Sequence, residues 1–488
     1  MNGLMIQGTS SDSGKSFIVT GLCRLLHSMN LNICPFKSQN MSNNAYVTHD
    51  GKEISIAQAL QAQAAGLVPE VFMNPILLKP KHNSSSEIIL NGQVYSHDTK
   101  HYREFTQTIG IQAVRESLAH IARSFEAVII EGAGSPAEIN LNAYEIVNMR
   151  IAREADVPVI LVADVDRGGA LASVVGTLEL LGNDRERVKG IIYNKFRGDI
   201  RLFMDAVTWT EDYTGITVLG VLPYLEGVNL SGEDSLNLQA HTSSSEHALN
   251  IGVFKLPGIS NMSDFDPLTQ EQDANISFID ANVKSLDDYD AIILPGTKAT
   301  FDAMTWLDET RLAQKLADYH GHVLGICGGL QLMGREILDP LFVENDALTQ
   351  ALGVGLLPVS TTFTTEKVTR QVRGEISGYE IHYGRTAYDY GEEFVPMFMI
   401  DGEPEGIMSH DMRLAGTYLH GVFSNDAFRT QWLNSIRKHK NYGTRGLLDT
   451  HTALDYTFDA IAESLRTHLD IPAIMRLLHR EDTTPQLE

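Results

Sequence analysis

Two short stretches of this chain carry side chains whose types and spacing could do chemistry. The first is Gly8-Thr9-Ser10-Ser11-Asp12-Ser13-Gly14-Lys15-Ser16, after an apolar run and before a helical pattern. Such a loop turns backbone N–H groups inward, and the helix that follows adds the positive end of its dipole, so the loop suits an anion. Lys15 is placed to reach the β- and γ-phosphates of a nucleotide, and the Ser16 hydroxyl to bind Mg²⁺. The ATP-binding candidates are Gly8, Thr9, Ser13, Gly14, Lys15 and Ser16. The second stretch is Val323–Gln331, VLGICGGLQ. An apolar run that ends at Cys327 and turns at once into a helical pattern describes a nucleophile elbow in cysteine form. A helix N-terminus lowers the thiol pKa. Gly328 and Gly329 permit the tight turn and let backbone N–H groups face an oxyanion.

Each stretch needs partners. Mg²⁺ favours one or two carboxylates beside phosphate oxygens and water. Glu131 ends the run AVIIE, which places it at the C-terminal edge of a parallel sheet, where such folds bind ligands. Asp50, in VTHDG, is a second candidate. Asp164 and Asp166, in LVADVDRGG, either line the same crevice or cap the next helix, and Arg167 is a candidate for an anionic ligand. A cysteine nucleophile needs a base. His420 follows a strand-like run and precedes a glycine, but sequence alone does not single it out among 17 histidines. The loop Leu294–Lys298, LPGTK, ends a strand, so Gly296 is placed to supply a second oxyanion N–H.

These residues must be held by strands and helices. Continuous apolar runs at Leu4–Gln7, Ala127–Glu131, Val157–Ala163, Val188–Tyr193 and Val218–Leu222 suit buried parallel strands. Ile251–Lys255, Ala291–Leu294 and Val323–Ile326 repeat the pattern. Amphipathic stretches such as Ser173–Leu181 and Thr310–Tyr319 read as crossover helices. The expected class is α/β with two doubly wound domains. The polar, Ser-rich stretch Gln239–Asn250 separates them. That division gives an ATP-binding domain over 1–238, a second domain over 250–445, and a helical extension with a frayed tail over 446–488.

The 488 residues are too many for one compact core. Hydrophobic residues make up 43%, an ordinary globular value. No apolar run approaches the roughly 20 residues of a membrane span, and the first residues have no basic leader, so neither membrane insertion nor a signal peptide is expected. Three cysteines without a CxxC pair suit a reducing, cytoplasmic setting. A net charge of −24 argues against nucleic acid. The basic cluster Arg437–Lys440 reads as a solvated helix face, and His82, His97 and His101 lack a ligand spacing. The sequence is compatible with a homo-oligomer.

The loop departs from the usual phosphate-loop pattern, with Thr9 where the first glycine belongs, and so resembles that of dethiobiotin synthetase and its relatives. Taken together, both stretches resemble the cobyric acid synthase family, glutamine amidotransferases of cobalamin biosynthesis. The resemblance runs through Lys37–Ala45 (KSQNMSNNA), Val47–Ile54 (VTHDGKEI), Ala57–Ala65 (AQALQAQAA), Met73–Pro80 (MNPILLKP), Asp164–Ala172 (DVDRGGALA) and Asn194–Asp199 (NKFRGD). It continues in Leu294–Lys298, Ile326–Gln331, Gly378–Thr386 (GYEIHYGRT) and Gly416–Phe423 (GTYLHGVF). It implies that Cys327 hydrolyses glutamine through a thioester with His420 as base and acid. Gly296, Gly328 and Gln331 would hold glutamine and its oxyanion. Ammonia would pass internally to an ATP-generated acyl phosphate on a corrinoid carboxylate. One feature departs from many related glutaminases, which carry Glu two residues after the histidine; here that residue is Val422. Glu380 is the candidate to orient His420 instead. Two rival readings stay open. One is cobyrinic acid a,c-diamide synthase. The other is a P-loop ATPase whose glutaminase-like domain only binds.

Overall fold

In the computed structural model, the structure describes residues 1–80, 86–142, 144–225, 228, 241–243, 245, 247–345 and 347–480. Parts of the Gln239–Asn250 boundary, the tail Glu481–Glu488 and His82 lie outside the described residues. The first sheet has six parallel strands, in the order Val218–Pro223, Val188–Phe196, Val159–Asp164, Gly3–Gly8, Ala127–Glu131, Ile33–Phe36. Its central strands are buried along their whole length, which is why they read as unbroken apolar runs. The chain leaves Gly3–Gly8 toward one side and later returns to the other. The crevice at the end of that strand, between Glu131 and Asp164, is therefore the topological switch point.

The second sheet runs Ala274–Ile279, Leu249–Phe254, Ala291–Leu294, His322–Ile326, Leu414–Thr417 in parallel. Ile407–Ser409 and Phe394–Val395 then add antiparallel strands. Ile33–Phe36 and Ala274–Ile279 carry no clear mark in the sequence. The first is a four-residue edge strand with Pro35 inside it, and only an edge tolerates that proline. The helix expected over Thr310–Tyr319 forms only as Leu312–Ala317, because Arg311 takes a left-handed conformation (φ 59°) and ends the preceding helix, Thr300–Glu309.

Helix Lys15–Ser28 buries Ile18, Leu22, Leu25 and Leu26 on the first sheet. Each such side chain contributes about 1.5–3 kcal/mol on burial. The C-terminal helices Thr450–His468 and Ile471–His479 return to this same core, adding Phe458, Leu465, Ile474 and Leu478. They come close: a Cβ on Gly21 would lie 2.5 Å from Leu465 Cδ1. Arg437, expected on a solvated face, is instead 1% exposed, paired through two hydrogen bonds with Asp273. A cationic helix pattern cannot distinguish a solvated face from one whose acids arrive from another strand end.

Candidate functional site

The strand Gly3–Gly8 delivers the phosphate loop into the switch-point crevice. Gly14 has φ 98°, and a Cβ there would collide with Asn194 Nδ2. Only glycine fits that close approach. Lys15 Nζ donates to Ser10 O and to Gly134 O, both at 3.1 Å. The Ser16 hydroxyl donates to Glu131 Oε1 at 2.8 Å. The same carboxylate takes Lys37 Nζ at 3.0 Å and Gln61 Nε2 at 2.5 Å. The Ser13 hydroxyl is fully buried and has no hydrogen-bond partner. An orphan donor inside a loop of inward N–H groups fits a phosphate oxygen. A hydroxyl beside one carboxylate is a donor set that fits Mg²⁺ completed by water and phosphate. Among the described residues no cluster of three or more His, Cys, Asp or Glu is placed to hold a metal ion by itself.

The neighbouring strand ends close the crevice. Asp164 accepts from Asp166 N and from Lys195 Nζ, both at 2.9 Å, and Lys195 also reaches Asp12 O. Arg167 Nη2 donates to Asp12 at 2.9 Å. Neither Asp164 nor Asp166 caps the next helix, Ala170–Leu180, whose N-cap Gly169 takes no side-chain bond; the Asp166 carboxylate pairs with Arg197 at 2.9 Å.

In the second sheet, Cys327 sits between the strand His322–Ile326 and the helix Gly328–Met333 with φ 52° and ψ −107°. Such a conformation costs of the order of 1–3 kcal/mol and persists only where the surroundings impose it. Here Cys327 N donates to Thr417 O at 2.7 Å. A Cβ on Gly328 would lie 2.6 Å from Thr297 Cγ2, and one on Gly329 would run into Leu294 O. The glycines are therefore required by packing as well as by the turn. Gly296 lies alongside: a Cβ there would be 3.0 Å from His420 Cε1. Gln331 is buried with its amide held by Thr300 Oγ1 at 3.1 Å and Tyr418 OH at 3.2 Å.

His420 is buried on the Cys327 side of the sheet, and the Cys327 thiol donates to Ile381 O at 3.6 Å. Its Nδ1 lies 2.7 Å from Asp264 Oδ2, and the other Asp264 oxygen accepts from Gly421 N at 2.7 Å. Nδ1 donating to Asp264 leaves Nε2 for the thiol. Burial works against a charged imidazole, but the adjacent Asp264 carboxylate outweighs it, with Cys327 adding to the effect, and the His420 pKa is carried up to about 10. The Tyr379 ring stacks on the imidazole at 5.3 Å, and the two residues exchange backbone hydrogen bonds. The arrangement has the parts that cysteine-based nucleophilic catalysis needs: a thiol, an imidazole and a carboxylate bonded to that imidazole.

Two family models match the chain. Residues 4–238 match the CobQ/CobB/MinD/ParA nucleotide binding domain, and residues 250–428 the CobB/CobQ-like glutamine amidotransferase domain. A Geobacillus kaustophilus protein named cobyric acid synthase is 41% identical, covering 98% of this chain and 97% of its own. One of the same name from Synechocystis sp. is 42% identical, covering 99% of this chain and 100% of its own. The chain belongs to the cobyric acid synthase family. Among solved structures, a glutamine amidotransferase aligns with 38% of this chain and 98% of its own at 15% identity, but a TM-score of 0.28 is too low to argue from.

Two expectations about this cobyric acid synthase family member need correction. Glu380 does not orient His420: its carboxylate is held by Arg370 through two hydrogen bonds at 2.8 Å and lies 3.5 Å from His382. The acid that replaces the one missing at Val422 is Asp264, which comes from the turn after the strand Leu249–Phe254. The available signal was an acid-bearing segment, NMSDFD, shortly after a buried parallel strand. Asp50 is not brought to the phosphate loop. Its carboxylate bonds to Thr48 and Lys52 at a hairpin tip, and a Cβ on the adjacent Gly51 would lie 3.2 Å from Thr369 O in the second unit. Lys37 and Gln61, which hold Glu131, went unmarked because neither stands in the loop motif. His97 and His101 have exposed side chains.

Proposed function

We propose that this chain amidates the b, d, e and g carboxylates of adenosylcobyrinic acid a,c-diamide to give adenosylcobyric acid, with ATP and glutamine. The observation that carries the reading is the Cys327–His420–Asp264 array in the same chain as Lys15, Ser16 and Glu131. His420 takes the thiol proton, and the Cys327 thiolate attacks the glutamine amide to form a thioester. Backbone N–H groups at Gly296 and Gly328 face the oxyanion, and the Gln331 side chain helps shape the glutamine pocket. Ammonia leaves with a proton from His420, and water then releases glutamate.

At the other site, Gly8, Thr9, Ser13 and Gly14 cradle the ATP phosphates and Lys15 neutralises developing charge. Mg²⁺, held by Ser16 and Glu131, would screen the phosphates when bound. The acceptor carboxylate becomes an acyl phosphate, which ammonia attacks with loss of phosphate. A carboxylate alone is a poor electrophile, and ammonia made in water at neutral pH is mostly protonated, so a protected internal route suits both problems. We place the enzyme in a reducing, cytoplasmic setting, on the strength of three unpaired cysteines. Among the described residues no helix is long and apolar enough to cross a membrane.

The test is mass spectrometry of the corrinoid product, with wild type and Cys327→Ala. Four new amides are expected with glutamine, none with Cys327→Ala and glutamine, and four again when Cys327→Ala is given ammonium. No new amide on the a,c-diamide, with two at a and c when cobyrinic acid is supplied in its place, would make the chain a cobyrinic acid a,c-diamide synthase. Glutamine turnover indifferent to Cys327 would reduce the second domain to a binding module.

A further inference from the structure

The nine residues Lys37–Ala45 run from one reaction site to the other. At the start, Lys37 holds Glu131. In the middle, Ser38 donates to Ile146 O at 2.6 Å, and Asn40 donates to Ser55 and Gln58. Gln39–Met41 also pairs in parallel with the strand Ile76–Pro80, so the segment is fixed to its own unit. At its end it reaches the other unit. Asn44 Oδ1 accepts from Met262 N at 3.0 Å, and Ala45 N lies 3.5 Å from Asn261 Oδ1.

Met262 and Asn261 begin the turn that carries Asp264. Asn261 is buried in the left-handed conformation (φ 56°), its carbonyl accepts from Asp264 N at 3.0 Å, and its side-chain amide donates to Tyr379 OH at 3.3 Å. Tyr379 in turn stacks on His420. The turn is short and strained, and it has one end in the glutaminase array and the other against Asn44.

We propose that Asn44, from the phosphate-binding unit, is a positioning residue for the glutaminase: with Asn261 it fixes the Asp264 turn and so the orientation of His420. Hydrolysis of glutamine is then at full rate only when the two units are docked as they are here. The inference rests on the proposed glutaminase reaction and assigns no chemistry to Asn44 itself. Removing its side chain leaves the Met262 N–H without an acceptor in a site where the carboxylate–imidazole distance matters, so the loss should fall on kcat.

The test compares glutamine hydrolysis by full-length wild type, Asn44→Ala, Asn44→Asp and Asn261→Gly. The last keeps the left-handed backbone and removes both side-chain contacts. Loss of one part-buried hydrogen bond predicts a kcat decrease of about 10-fold for Asn44→Ala. KM for glutamine should hold, and the limb of the pH–rate profile due to His420 should move to lower pH as Asp264 loosens. Asn44→Asp, which keeps an acceptor oxygen, should recover most of the rate, and ammonium-dependent amidation should stay near wild type. Wild-type kcat and pH profile in both Asn44→Ala and Asn261→Gly would overturn the proposal. So would a loss of Asn44→Ala activity that Asn44→Asp does not recover, or that strikes ammonium-dependent amidation equally. A wild type without Cys327-dependent hydrolysis would instead overturn the reading on which the proposal rests.

Discussion

The two reaction sites are assembled in opposite ways. The phosphate site gathers around one loop, and the side chains that meet there come from the first unit: Ser16 and Gln61 from the helices Lys15–Ser28 and Ile56–Ala64, Lys37 from just after the edge strand Ile33–Phe36, and Glu131 from the end of the strand Ala127–Glu131. The glutaminase site takes Cys327, His420 and Asp264 from the ends of three different strands, with 156 positions between the last two. The turn bearing its acid also leans on the other unit. The phosphate loop itself is one continuous stretch, although Glu131 reaches it across 115 positions. A site built from strand ends depends on the register of a whole sheet.

The comparison breaks first at its acids. Asp264→Asn should lower glutamine hydrolysis by about 10²–10⁴-fold, the range for loss of a competent acid–base group, while ammonium-dependent amidation survives. Glu131→Gln should do the reverse, abolishing amidation from either nitrogen source while Cys327 still hydrolyses glutamine. Steady-state assays of both half-reactions check the pair, and a matching loss in both halves for either variant would dissolve the distinction. Asp264→Asn also has a pH consequence. With a folded pKa near 10, above the ordinary value of about 6.5, protonated His420 stabilises the native state fully below pH ~6.5. That contribution is lost as pH rises through about 10. The stability difference between wild type and Asp264→Asn, measured by denaturant titration, should therefore shrink between those limits.

This contrast explains what was legible in the sequence. The phosphate loop announces itself because strand, glycines, lysine and helix are contiguous. Cys327 does so for the same reason. His420 was reachable only through family resemblance, and Asp264 was missed. The sheet brings its strand beside that of Cys327 with one strand between them, an adjacency that no local pattern encodes. Arg437 misled in the same way, since its acids Asp273 and Glu271 come from the approach to a different strand. Lys37 and Gln61 lay inside quoted family segments, but nothing in their immediate neighbours pointed to Glu131.

A weaker test concerns how the units are held together. Lys367, on the long strand Val359–Val372, pairs with Glu53 and Glu87 of the first unit, and Lys79 also pairs with Glu53. Burial alone would raise the Glu53 pKa, but Lys367 and Lys79 hold it down to about 2. Removing one partner from a buried pair leaves the other charge uncompensated, so Lys367→Met should lose about 3–5 kcal/mol. Thermal melting checks this. If the units are coupled as the Asn44 contact requires, the melt should also separate into two transitions. A single, unshifted transition would mean that apolar packing alone fixes the interface.

The smallest expected effect falls on Asp50. Its side chain is 56% exposed and engaged locally with Lys52, so the pair resembles surface ion pairs worth about 0–1 kcal/mol. Asp50→Asn should leave both half-reactions within about twofold and stability within about 0.5 kcal/mol, as for surface substitutions away from a site. The value of the experiment lies in its failure. Were Asp50→Asn to remove ATP-dependent amidation while sparing glutamine hydrolysis, the hairpin Ala45–Ser55 would have to swing from the second unit onto the phosphate loop during turnover. That movement would draw Asn44, one residue before the hairpin, away from Met262. The phosphate site would then no longer be local, and its assembly would compete with the contact that steadies Asp264.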